Sequence, residues 1–140
     1  MMFCNPGVYF NKDEGKQLVE FAGLRFRNGT PSDIDGCFDC YGNGWIFIEI
    51  KRKGVEIQHG QKLMYERLAR DLASGGKTAV VIIAEHNITD PEQNIPAKNC
   101  VIRKLCINGV WRNPVRPTTV EEAFNYYAPH ISNNIVTNIA

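Results

Sequence analysis

The segment Trp45-Ile46-Phe47-Ile48-Glu49-Ile50-Lys51 limits what this chain can fold into more than any other. It is apolar at successive positions until the charged Glu49 and Lys51 near its end. Successive side chains of a strand project to opposite faces, so such a run reads as a central strand covered on both sides. A second buried run, Thr78 to Ala84, lies downstream. Between them Leu63, Leu68 and Leu72 alternate with Lys62, Glu66, Arg67, Arg70 and Asp71, which predicts a helix over 61–74 stopped by Gly75-Gly76. A strand–helix–strand unit that follows a meander predicts an α/β fold, a mixed sheet with helices on both faces.

The flanking segments extend this plan. Asn11 followed by Glu14 resembles a capping box and predicts a first helix to about Ala22, with Leu18, Val19, Phe21 and Ala22 as its apolar stripe. Leu24 to Arg27 is a short strand candidate, and Asn28-Gly29-Thr30-Pro31 is turn chemistry. Ile34 to Tyr41 and the Trp45 strand are separated by Gly42-Asn43-Gly44, whose Asn-Gly predicts a hairpin. After a loop over 87–99, Cys100 to Ile107 and Val110-Trp111 flank Asn108-Gly109 as a second hairpin. Thr119 and Glu122 cap a last helix to about Tyr127. A chain of 140 residues suits a single domain, here 1–130, with 131–140 as a tail that lacks a period.

Charge and cysteine content narrow the partners. Sixteen Lys+Arg against fifteen Asp+Glu leave a formal charge of +1, so no global field steers a polyanion and any basic surface must be local. Five cysteines, an odd number in mostly strand-like stretches, read as reduced thiols of a cytoplasmic protein. The start MMFCNPGVYF lacks a basic region and a long apolar run, and no membrane span is expected.

Chemistry concentrates at the first hairpin. A turn centred on Asn43 places Asp35 opposite Lys51 and close to Glu49, while Glu49 and Lys51, two apart, share a face. Two carboxylates and an ammonium then meet at the end of an apolar strand, where charges are costly unless paired or bound to a cation. Two oxygen-donor residues suit Mg²⁺, and a nearby Lys can position a water or stabilise charge on a phosphate. A cross-strand salt bridge among the same residues is the plain alternative.

At these residues the chain resembles the PD-(D/E)xK nuclease superfamily. Thr30-Pro31-Ser32-Asp33-Ile34-Asp35-Gly36 and Phe47-Ile48-Glu49-Ile50-Lys51 look like its acidic and E-x-K motifs, and Gln61-Lys62-Leu63-Met64-Tyr65 matches the Q-x-x-x-Y motif of RecB-like and some phage members. The resemblance spans about residues 12 to 84. It implies a restriction-endonuclease-like core, an αβββαβ order with a C-terminal hairpin and helix appended. It implies Mg²⁺, replaceable by Mn²⁺, held by Asp35, Glu49 and the Ile50 backbone carbonyl, with Glu14 as a further candidate ligand. Lys51 would position the attacking water, and Gln61 and Tyr65 would orient Lys51 or touch the phosphate backbone. The implied substrate is DNA, in phage or mobile-element repair or recombination, and the small size is similar to that of the homodimeric Holliday-junction resolvases. A literal Pro-Asp is missing, so Asp33 and Asp35 compete, with Asp35 favoured because it precedes Gly36. A non-catalytic module of the same fold, binding nucleic acid or a protein, is the other reading.

Further residues have two readings each. Arg52 and Lys53, beside Lys51, could hold phosphates or simply end a strand in solvent. Cys37 and Cys40, three apart in a strand, point to opposite faces and read as thiols and not as a metal pair. His59 and His86 could line the cleft or serve as caps. Trp111 reads as core, with a base-stacking platform as the alternative.

Overall fold

A computed structural model describes residues 20–133. The chain divides into two compact units, residues 1–33 and 34–140. In the described part of the first unit, Phe26 and Gly29 exchange backbone hydrogen bonds of 3.1 and 2.9 Å around a turn at Arg27, whose φ is 57°. This isolated bridge stands where a strand over Leu24 to Arg27 was expected, because the chain reverses at once. Glu20, Phe21 and Ala22, the last residues of the expected first helix, are not helical, and the rest of that helix, with Glu14, lies outside the described residues.

The second unit carries the sheet. Its strands are β1 (Gly36–Asp39), β2 (Gly44–Arg52), β3 (Thr78–His86), β4 (Val101–Ile107) and β5 (Val110–Arg112), in the spatial order β1-β2-β3-β4-β5. Helix α1 (His59–Ser74) joins β2 to β3, which are parallel, and the other pairs are antiparallel. Helix α2 (Val120–Ser132) follows β5. The expected mixed sheet with helices on both faces is therefore observed.

The period of two explains the two cores. Phe47, Val81 and Ile83 pack with Tyr65 and Ala69 of α1 and with Cys106. Ile46, Val80 and Ile82 point the other way, onto Val120, Ala123, Tyr127 and Ile131 of α2. This is why β2 and β3 are apolar at successive positions. Among the described residues two strands precede α1, not three.

The first hairpin turns two residues earlier than its Asn-Gly suggests. Tyr41 and Gly42 have φ of 52° and 77°, and Asn43 N–H donates to Cys40 O at 3.1 Å. Two successive positive φ angles define a type I′ reversal. The Asp39 carboxylate accepts from Gly42 N–H at 2.8 Å and favours it. The pairing is thereby Gly36 with Ile48. A shift by an even number leaves every side chain on its expected face.

Asn43 and Gly44 have tertiary roles instead. Asn43 Nδ2 donates to Ser132 O at 2.7 Å. A Cβ on Gly44 would stand 2.3 Å from Thr78 O and 2.5 Å from Ile131 Cγ2. These contacts carry α2 through Pro129 to Ser132, past its expected end near Tyr127, because Ile131 is buried against the hairpin. Pro129 forgoes one helical hydrogen bond, and burial of Ile131 offsets that loss. The Thr119–Glu122 capping box forms as expected. Gly44→Ala should cost about 3 kcal/mol by overpacking against backbone. Urea denaturation of the full chain checks this, and a midpoint equal to the native one would refute the close approach.

Candidate active site

The residues picked out by spacing meet at the C-terminal end of β2. Glu49 faces α1 and is only 2% exposed. A carboxylate at that depth needs compensation. Tyr65, fully buried on α1, donates its hydroxyl to Glu49 Oε1 at 2.7 Å. Lys51 lies two residues further along the same face, and its Nζ stands 3.4 Å from Glu49 Oε2. The Lys51 side chain is 22% exposed, so the group reaches solvent on its lysine side. Gln61, one turn before Tyr65, is also buried.

Asp35 sits one residue before β1 begins. Its Oδ2 accepts from Ile50 N–H at 2.8 Å. Continuing the register beyond Gly36 and Ile48 brings Asp35 opposite Glu49, where Lys51 was expected. In an antiparallel ladder a residue's N–H and C=O project to the same side, so the Ile50 carbonyl also faces the Asp35 edge, beyond the end of β1. Carboxylate and carbonyl oxygens of Asp35, Glu49 and Ile50 thus gather around one strand end.

These donors fit Mg²⁺ in kind. Mg²⁺ takes hard oxygen ligands, uses one or two carboxylates and keeps several waters. Among the described residues no three His, Cys, Asp or Glu side chains cluster as a metal group, so a fuller all-protein cage is not what this site offers. Each carboxylate oxygen retains acceptor capacity beyond its present partner.

The remaining expected residues are placed as follows. Arg52 and Lys53 are exposed at the end of β2, and Lys53 lines a cavity of about 360 Å³ with Glu85 and His86. His86 Nδ1 accepts from Ile88 N–H at 3.1 Å, a capping role. Asp33 belongs to the first unit. Cys37 is exposed and Cys40 is buried, in keeping with their opposite orientation. Burial pushes the Cys106 thiol up to about 11, the behaviour of a packing residue.

One arrangement was not anticipated. Arg103 on β4 donates Nε to Glu85 at 2.9 Å, Nη1 to Val55 O at 2.6 Å and Nη2 to Arg52 O at 3.2 Å. It fastens the loop between β2 and α1, the segment that connects Lys51 to Gln61. The available signal was the pair of opposite charges, Glu85 and Arg103, in two mostly apolar strands.

Tyr65→Phe isolates the buried hydrogen bond. It should lower unfolding free energy by about 1.5–3 kcal/mol, the usual range for a bond to a charged group. Chemical denaturation measures it, and a change below about 0.5 kcal/mol would mean that the Glu49 carboxylate does not depend on this hydroxyl.

Comparison of the chain with protein-family models, curated proteins and solved structures gives no match.

Proposed function

We propose that this protein is a divalent-metal-dependent nuclease that hydrolyses phosphodiester bonds in DNA. The observation that carries the reading is the convergence of Lys51 and Tyr65 on the buried Glu49 while Asp35 is bonded to the backbone of the very next residue, Ile50. A hairpin, a crossover helix with Gln61 and Tyr65, and a parallel strand form part of the αβββαβ order implied by the PD-(D/E)xK resemblance, although two strands and not three precede the helix among the described residues.

Asp35, Glu49 and the Ile50 carbonyl would hold Mg²⁺, or Mn²⁺ in its place. When bound, the ion supplies Lewis-acid stabilisation of charge on the phosphate. Tyr65 fixes the Glu49 carboxylate by holding Oε1. Lys51, partly exposed, presents its ammonium to the attacking water or to the developing negative charge. Gln61 projects from the same helical face as Tyr65 and orients Lys51 or the phosphate backbone. Arg52 and Lys53 add sequence-independent phosphate contacts.

A second reading, a catalytically inactive nucleic-acid-binding module, draws on the depth of Glu49 and the engagement of both its oxygens. One experiment separates the two. The full chain is incubated with linear duplex, single-stranded, circular and four-way-junction DNA in Mg²⁺, Mn²⁺ or EDTA. Cleavage with either ion and none in EDTA is expected. Intact DNA under every condition, or equal cutting in EDTA, would sink the nuclease reading.

A further inference from the structure

A cleft of about 310 Å³ opens on the α1 face of the sheet, lined in part by Ile83, Lys62, Lys104 and Trp111. It adjoins the Glu49 site directly. Glu49 pairs with Ile83 across β2 and β3, and Ile83 pairs with Lys104 across β3 and β4. Adjacent strands lie about 4.8 Å apart, so Lys104 stands roughly 10 Å from Glu49 along one row of the sheet.

The cleft has an unusual charge state. Arg103 at its edge is neutralised by Glu85. Lys104 is exposed and has no ion pair among the described residues. Lys62 also lacks a carboxylate partner among them, and its Nζ rests 5.3 Å from the centroid of the Trp111 ring. Glu56, exposed at the rim, is the opposing charge. The indole is held rigidly, because Trp111 Nε1 donates to Glu66 Oε1 at 3.0 Å and Glu66 is itself paired with Arg70. A fixed aromatic plane beside two ammonium groups, neither of them in an ion pair among the described residues, matches a flat heterocycle joined to phosphate.

We propose that this cleft receives an unpaired nucleotide of the substrate strand. Lys62 leaves the indole for a phosphate oxygen, a stronger partner for an ammonium than a ring face. The base stacks on the ring that Lys62 uncovers, and Lys104 takes the neighbouring phosphate. The volume lies at the small end of ligand sites and admits one nucleotide. A base inside a duplex has both faces covered, so it reaches Trp111 only when the strand is single or locally opened. The inference rests on the polynucleotide reading of the Glu49 site and adds a preference for single-stranded substrate.

The test uses the full chain in EDTA, with a fluorescent oligothymidylate and a blunt duplex of equal length followed by anisotropy. The single strand should bind more tightly than the duplex. Trp111→Ala should weaken single-strand binding about tenfold or more, as loss of base stacking does. Lys104→Ala should reduce the dependence of log K on log salt by about 0.7. Should Trp111→Ala fail to fold, a Trp45→Phe background leaves Trp111 as the sole tryptophan, and its emission should be quenched when the oligonucleotide binds. Unchanged emission, or native affinity and salt slope in Lys104→Ala, would overturn the proposal. Cleavage in Mg²⁺ reports separately on the Glu49 site: loss of DNA cutting with intact single-strand binding removes the nuclease reading alone. Cutting that persists with no effect of the cleft variants removes the cleft alone.

Discussion

Glu49→Gln is expected to lose Mg²⁺-dependent cleavage by roughly 10²–10⁴-fold, the span for removal of a group that acts in the transition state. The substitution keeps the shape of the side chain. Its amide oxygen can still accept the Tyr65 hydroxyl that Glu49 Oε1 accepts at 2.7 Å. What disappears is the negative charge, and with it the proposed metal ligand and the partner of Lys51. Stability should fall by only about 1–2 kcal/mol, since Lys51 is partly exposed and water can serve it. Glu49→Ala is the poorer choice. It empties a buried position and leaves both Tyr65 and Lys51 without this partner, at about 3–5 kcal/mol by the usual cost of breaking a buried pair. Cleavage of labelled duplex by Glu49→Gln, with circular dichroism to establish the fold, reads the effect. Native rates in that variant would show that the carboxylate is structural only.

Lys51→Ala should reduce kcat by roughly 10²-fold while DNA affinity changes far less. The reason is position: Lys51 is tied to Glu49 at 3.4 Å, whereas Arg52 and Lys53 are exposed and unconstrained by that carboxylate. A residue that serves the reacting centre shows its loss in rate, and a phosphate anchor shows it in binding. Should affinity fall as much as rate, Lys51 belongs with Arg52 and Lys53. Measurements belong well below the melting temperature, because removing the ammonium also leaves Glu49 Oε2 without its ion pair.

Much of this could be read from the chain itself. The two apolar runs around a helical segment gave away β2, α1 and β3, because burial on both faces leaves no polar position to disguise the pattern. The i, i+2 spacing put Glu49 and Lys51 on one face of β2 and the i, i+4 spacing put Gln61 and Tyr65 on one face of α1, since each is a property of one local geometry. Asp35 was brought to the end of β2 in spite of a misplaced turn, because an error of two residues preserves the face. The misplacement itself has a physical cause. Asn43 and Gly44 look like turn residues but are selected by contacts with Ser132, Thr78 and Ile131, far away in the chain. The end of α2 was missed for the same reason: Pro129 is a local stop signal, and Ile131 is held by a distant partner. The Arg103 clamp joins three strands and one loop, through Glu85, Arg52 and Val55, which no window of neighbouring residues contains.

The seat of Gly44 on Ile131 has a consequence for the order in which the chain assembles. Residues 36–52 leave the ribosome before α2 and can close their hairpin locally, yet the surface on which that hairpin rests is finished only by the last turn of α2. Asn43 and Ser132, bonded at 2.7 Å, are 89 positions apart. Closing so long a loop is slow, so this contact forms only after α2 has been made. A nascent chain that stops before Ile131 carries the start of β2 without the residue that packs against Gly44.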